Sequence, residues 1–282
     1  MNYLITGATG DIGSRVVKCL LERGKRPRVF ARDARKARER FGERVDLAVG
    51  DLADAGSLYA ALAGVDALFL VNSGSEIATR DAAAAQAAKA AGVRHLVKLS
   101  SMDAQQDVGT GVWHARGEAA IRASGITFTF VQPTGFMENA LFWATTIKAA
   151  GVVRSMTADG KIPFIHSDDI ADVATQALTT RDYDGKSLPI TGPEALSYAE
   201  MAAKVGATIG KQIGFEAISE EQVRQRMTES GDAEEMIVAH LSIYRAVRQG
   251  RLATATDNVE RVLGRKPIEF DRWAQEHAEA FC

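Results

Sequence analysis

Two cysteines, Cys19 and Cys282, are all that the 282 residues contain, and they stand far apart in the chain. That scarcity excludes a disulfide framework; no metal site is expected, and a reducing, cytoplasmic setting is. Long hydrophobic runs are missing too. No stretch approaches the roughly 20 apolar residues that span a bilayer, and the first residues read as a strand rather than a basic leader. Neither sign of charge dominates: 34 Lys and Arg against 36 Asp and Glu leave a formal net charge of -2. Such a balance gives no long-range pull toward nucleic acid or an anionic membrane. There is also no internal repeat and no low-complexity linker.

What is there is a regular alternation of short apolar runs and helical stretches. A composition of 46% hydrophobic and 25% charged residues is ordinary for a soluble globular protein. The length allows one large α/β domain, or a nucleotide domain with a smaller appendage. Strands are predicted at Tyr3–Thr6, Arg28–Ala31, Val45–Gly50, Ala67–Asn72, His95–Ser100 and Thr127–Gln132, the pattern of a parallel sheet with crossover helices. The alanine-rich stretch Ile77 to Ala91 favours a helix that stops at Gly92. After about Gly135 the rhythm changes. A helix with aromatic residues is expected from Phe136 to Lys148, then an extended run Lys161 to His166. Ser167-Asp168-Asp169 reads as the cap of a helix Ile170 to Thr179, and Leu188 to Thr191 as one more strand. Ser197 with Glu200 forms a capping box for a helix reaching Gly210. The division expected is a core over 1–135 and a second region over 136–282, packed on the core and partly interleaved with it.

The densest signal is Gly7-Ala8-Thr9-Gly10-Asp11-Ile12-Gly13, between the first strand and a helix Ile12 to Leu21. Glycines let the chain turn tightly and let phosphates come close, and a helix N-terminus offers unpaired N–H groups and a positive dipole end. The spacing is Gly-x-x-Gly-x-x-Gly rather than the commoner Gly-x-Gly-x-x-Gly, so context carries the reading. The plainer alternative is a glycine-rich turn that only joins a strand to a helix. An acidic residue at the end of the second strand suits the ribose of NAD, and an arginine there the extra phosphate of NADP. Here Arg32 ends that strand, Arg35 and Lys36 add charge, and Asp33 is better placed to cap the next helix. NADP(H) is therefore favoured over NAD(H), unless Arg32 is a solvated surface charge.

Small or polar residues follow each further strand, where ligands of such sheets bind. These are Asp51 and Leu52; Asn72, Ser73 and Gly74; Ser100; and Pro133, Thr134, Gly135 and Phe136. Each alone is also a plausible loop, and Asp51 a turn residue. Between the fifth and sixth strands stands Trp113-His114-Ala115-Arg116-Gly117-Glu118. His114 and Glu118 share a helix face. His114 is the candidate acid or base, and Arg116 could reach a ribose or phosphate; a surface helix with a local His–Glu contact is the alternative.

These residues resemble the short-chain dehydrogenase/reductase superfamily. Trp113 to Glu118, Gln132-Pro133-Thr134-Gly135-Phe136-Met137-Glu138-Asn139 and His166-Ser167-Asp168-Asp169-Ile170-Ala171 resemble its NmrA-like, atypical branch over nearly the whole chain. The resemblance implies a doubly wound Rossmann-type parallel sheet with a smaller, mostly helical C-terminal region on the substrate side. It implies cofactor contacts from Gly7 to Gly13, Arg32, Ser73 and Pro133 to Phe136. That branch includes NADPH-dependent quinone oxidoreductases and NADPH-sensing regulators. The superfamily's usual chemistry uses Tyr-x-x-x-Lys, yet none of the five tyrosines has lysine four residues later. A quinone-like acceptor tolerates that loss, because charge spreads over its ring. The expected activity is hydride transfer from NAD(P)H to a small apolar conjugated acceptor. Its pocket is expected at Met137, Phe142, Trp143 and Phe164, with Met227, Met236, His240 and Tyr244 further candidates. The alternative is an NADP(H)-sensing regulator that binds a protein partner. A homodimer is possible through exposed helices.

Overall fold

The computed structural model describes all residues, 1–282. In chain order the elements are β1 (Tyr3–Ile5), α1 (Asp11–Glu22), β2 (Arg28–Ala31), α2 (Ala34–Phe41), β3 (Asp46–Val49), α3 (Ala55–Ala61), β4 (Ala67–Leu70), α4 (Ile77–Ala90), β5 (His95–Leu99), α5 (Gly111–Ser124) and β6 (Phe128–Pro133). They continue with α6 (Ala144–Ala150), β7 (Val152–Ser155), β8 (Lys161–Ile162), α7 (Ser167–Thr179), β9 (Ser187–Ile190), β10 (Leu196–Ser197) and α8 (Tyr198–Ile209). The chain closes with β11 (Gly214–Ala217), α9 (Glu220–Glu229), α10 (Glu234–Arg248), α11 (Asn258–Leu263) and α12 (Phe270–Glu276).

Two compact units are built from these. The first comprises Met1–Gln105, Gly111–Gln132 and Ser167–Pro189, and the second Gln106–Thr110, Pro133–His166 and Ile190–Cys282. The first unit is a seven-stranded sheet of order β3-β2-β1-β4-β5-β6-β9, with parallel pairing from β3 through β6. The order reverses between β1 and β4, which opens a crevice at the strands' carboxyl ends. Thr6 pins that point: its Oγ1 donates to the Val71 carbonyl at 3.1 Å and accepts from the Val71 N–H at 2.8 Å. The strands are apolar because helices cover both faces. Leu4, Phe30, Leu68, Leu96 and Phe130 form one core with Leu58 and Leu62 and with the alanines of α4. Small residues bring α4 and α5 together, and a Cβ on Gly117 would lie 2.2 Å from Asp81 Oδ2.

The second unit has its own core around Met137, Trp143, Phe164, Tyr198, Phe270 and Trp273, with two-stranded ladders β10–β8 and β11–β7. The expected aromatic helix is instead a 3₁₀ stretch, Met137–Trp143, followed by the seven-residue α6. The extended run Lys161 to His166 holds only the short β8 and a bridge from Ile165 to Phe136, because Pro163 interrupts it. The Ser197 capping box is present, with Ser197 Oγ accepting from Glu200 N–H and the Glu200 carboxylate from Ser197 N–H.

Candidate active site

The glycine turn owes its shape to contacts that leave no room for side chains. Gly7 has φ +59°, and a Cβ there would sit 2.8 Å from Val71 Cβ. At Gly13 a Cβ would stand 2.2 Å from the Gly7 carbonyl oxygen, so only glycine lets α1 begin this close to the strand. Gly10 caps α1 without a side-chain hydrogen bond, which leaves the first N–H groups of the helix without a side-chain acceptor. A diphosphate needs such a cradle.

The neighbours of the turn are held by a polar seam. Asp11 could oppose an anion, but Arg15 Nε reaches its Oδ1 at 2.7 Å and Ser167 Oγ its Oδ2 at 2.6 Å. Arg15 also pairs with Asp168. One turn on, Cys19 Sγ meets Asp172, and a further turn on, Arg23 meets Gln176 and Thr179. The spacing of four on α1 matches that on α7, so the two helices lie along each other. Ser167-Asp168-Asp169 is thus the first turn of α7 rather than a cap before it, and it serves the glycine turn. Sequence reasoning also missed Arg40. Its Nη1 donates to the Thr9 carbonyl at 2.9 Å and its Nη2 to Ser14 Oγ at 2.6 Å, which latches α2 onto the turn. The only signal was its place one turn beyond Lys36 on α2. Arg32 and Lys36 are exposed at the end of β2 and in α2. Asp33 caps α2 by accepting from Lys36 N–H, as its place in the sequence indicated.

The other strand ends are more ordinary. Asp51 accepts from Ala53 N–H at 2.9 Å, the work of a turn residue, and Leu52 packs on the core. Asn72 Oδ1 accepts from Ser73 N–H, its Nδ2 lies 3.4 Å from Asp81 Oδ1, and Gly74 turns with φ +87°. Ser100 is buried, its hydroxyl committed to Glu118 at 2.5 Å; Gln132 Nε2 donates to the same carboxylate oxygen at 2.7 Å. Glu118 is therefore taken up by this network rather than by the His–Glu contact of the surface-helix alternative. His114 Nδ1 is buried without a hydrogen-bond partner. Burial, with the Lys98 charge nearby, pulls the imidazole down to about 3, so it is neutral at pH 7 and cannot serve as an imidazolium acid. Lys98 and Asp81 are wholly buried and face each other at 2.5 Å. Arg116 is exposed on α5.

The remaining candidates lie in the second unit. Thr134 N–H continues the ladder to Ile190, Gly135 leaves room for the Phe164 ring, and Phe136 bridges Ile165. Pro133 is buried at the end of β6. Met137, Trp143 and Phe164 are core residues, the last two packed against the Tyr198 ring at 5.0 and 6.0 Å. Phe142 is 85% exposed. Met227 and Tyr244 pack on a small cluster with Leu241, and His240 stacks on Tyr244.

Comparison with known proteins adds the family and the fold likeness. Residues 7–181 fit the family of NAD(P)H-binding proteins. The chain is 40% identical to an NAD(P)H azoreductase of Xenophilus azovorans, over 99% of this chain and 98% of that one. It is 36% identical to a (4-alkanoyl-5-oxo-2,5-dihydrofuran-3-yl)methyl phosphate reductase of Streptomyces griseus, over 99% of both. In fold it is similar to an Escherichia coli NADPH-dependent quinone oxidoreductase solved with NADPH, with TM-score 0.89, 24% identity, and 98% and 99% of the two chains covered. No helix is long and apolar enough to cross a membrane. The uncapped glycine turn, the sheet reversal beside it and these likenesses place the chain in the NAD(P)H-binding, NmrA-like branch of the atypical short-chain reductases, as an NAD(P)H-dependent oxidoreductase.

Proposed function

We propose that the protein uses NADPH in preference to NADH to reduce small conjugated acceptors: azo compounds, quinones and unsaturated lactones. The observation that carries this is Arg32, exposed directly after β2, beside a glycine turn that a second arginine holds in place. Arg40 is bonded to Thr9 and Ser14, and Lys36, one turn earlier, stands on the same face of α2. Arg32 directly follows β2, where an arginine suits the 2′-phosphate of NADP. Gly7 to Gly13 would cradle the diphosphate; Asn72, Ser73, Gly74, Arg116 and the turn Pro133 to Phe136 are the further candidates for the ribose and nicotinamide.

The dinucleotide, when bound, supplies a hydride. The protein binds, orients and excludes water. With no tyrosine in α5 and a neutral His114, it offers no strong acid to activate an isolated ketone. An acceptor that spreads the arriving charge over a conjugated system does not need one. The azoreductase and lactone-reductase relatives support this class. The test is NADPH and NADH oxidation with a panel of azo dyes, quinones and unactivated ketones. Turnover with conjugated acceptors only, and a lower KM for NADPH, is the expected result. Binding without oxidation across the panel would favour a sensor instead.

A further inference from the structure

A lysine and an aspartate wholly out of water are costly, since each charge gives up its hydration. Lys98 of β5 and Asp81 of α4 are such a pair, 2.5 Å apart and both buried. Apolar side chains would suit the place at least as well: Leu96, two residues before Lys98 and on the same face of β5, packs with the alanines of α4. We propose that the pair is a positioning device for the dinucleotide: Lys98 fixes the Asp81 carboxylate, which holds the Asn72 amide beside the glycine turn. This rests on the reading of the β4 end as part of the dinucleotide seat.

The chain of contacts is short. Val71, just past β4, is bonded to Thr6 Oγ1 through both its N–H and its carbonyl, and a Cβ on Gly7 would sit 2.8 Å from its own Cβ. Asn72 is the next residue, so its backbone lies one step from the glycine turn. Its Oδ1 accepts from Ser73 N–H at 2.9 Å, and its Nδ2 donates to Asp81 Oδ1 at 3.4 Å. That leaves the second Nδ2 hydrogen for a ligand oxygen. Asp81 stands in the second turn of α4, fixed from two further sides. Its Oδ2 faces Lys98 Nζ, and it lies where a Cβ on Gly117 would come within 2.2 Å. Arg80, its neighbour, reaches the Ser73 carbonyl at 3.5 Å, and Gly74, with φ +87°, lets the turn reverse. The β4–α4 turn is thus tied to α4 at both Asn72 and Ser73.

Charge is what the pair adds over a neutral contact. A carboxylate accepts a stronger hydrogen bond than an uncharged oxygen does. In this dry setting its direction is set by the single ammonium that faces it. The amide of Asn72 is thereby placed before a ligand arrives, which spares the binding step the cost of ordering it.

K98M/D81L replaces the pair by apolar side chains. Its NADPH and NADH dissociation constants, by fluorescence titration, should both rise about five- to tenfold, equally because β4 lies across β1 from β2 and Arg32. The KM for NADPH should rise with them, and kcat should change less. K98M/D81N keeps an oxygen opposite Asn72 and should regain part of that affinity, although its buried amide makes it melt below K98M/D81L. A purely structural pair predicts the reverse, with affinity following stability. N72A should lose the same factor, and little more when added to K98M/D81L. Equal binding by wild type and K98M/D81L, equal losses in both double variants, or losses that add in full with N72A would overturn the assignment. Wild-type affinity in N72A would overturn the reading of the β4 end as part of the seat, and this assignment with it. If the double variants do not fold, the wild type decides. The Asn72 side-chain amide, identified by its absence in N72A, should give ¹⁵N-linked signals that exchange slowly with solvent and shift on adding NADPH. Fast exchange would overturn the positioning, and slow exchange without a shift would overturn the seat.

Discussion

At the start of α1 nearly every polar group has a partner, whereas along β5 and α5 several have none. Asp11 is shared between Arg15 and Ser167, Thr9 and Ser14 are held by Arg40, and Thr6 is bonded to β4. Across the same sheet, His114 Nδ1 is buried and unpaired. Lys98 has Asp81 alone, in an alignment that makes an ion pair but no hydrogen bond. Asp103 has a lone hydroxyl against its carboxyl. The first region has its side chains saturated while the first N–H groups of α1 stay without a side-chain acceptor, as a seat for an anionic ligand should. The second keeps buried groups that cost stability, and such groups cluster where chemistry is done.

The comparison breaks most visibly at Lys98. Removing one member of a buried ion pair costs about 3–5 kcal/mol, because the other charge is stranded. K98M should lose that much in urea unfolding, and K98M/D81L should regain most of it; equal losses in both would mean that the pair is not coupled. Acid comes next. Burial pulls His95 down to about 4 and His114 to about 3, so the unfolded chain takes up protons that the folded one refuses. Their stabilisation is complete above about pH 6.5 and is lost as pH falls toward 4, at about 3 kcal/mol for His95. Asp103 acts oppositely, since its raised carboxyl favours the folded state as pH drops below 6. H95N should flatten the decline, and an unchanged stability-versus-pH curve would count against it.

On the saturated side, R32A should weaken NADPH binding about ten- to a hundredfold and leave NADH unaffected, by fluorescence titration. R40Q should weaken both dinucleotides by a similar, smaller factor, since Arg40 holds the turn. A selective loss of NADPH in R40Q would mean that it reads the phosphate directly. The smallest effect belongs to Phe142, which is 85% exposed. F142S should change stability by no more than about 0.5 kcal/mol, and any larger loss of dye reduction would make that ring part of the substrate's path.

The saturated region was also the legible one. Glycines at fixed spacing, an arginine after β2 and Asp33 at a cap are local signals, each set by neighbours in sequence. The sheet strands showed for the same reason, as apolar runs bounded by turns. Lys98 and Asp81 meet across 17 positions, and Ser167 reaches Asp11 across 156; no local pattern announces such pairs. Asp103 looked like any loop aspartate, because burial is a property of the fold. The strands β7 and β11 went unread because their pairing spans 62 residues and their faces are only partly apolar. The aromatic stretch Met137–Trp143 has helical spacing, yet it is wound as a 3₁₀ helix.

The seam between α1 and α7 bears on how such a protein can be cut and rebuilt. A fragment ending after β6 would contain the whole glycine signature but neither β9 nor α7. Its last strand would be an open edge, and Asp11 would stand at the mouth of the turn without Ser167. The dinucleotide seat is therefore not a transplantable cassette. A chimaera that borrows it must also borrow residues 167–189, and a split-protein design should place its break elsewhere, for instance at the exposed Gly231.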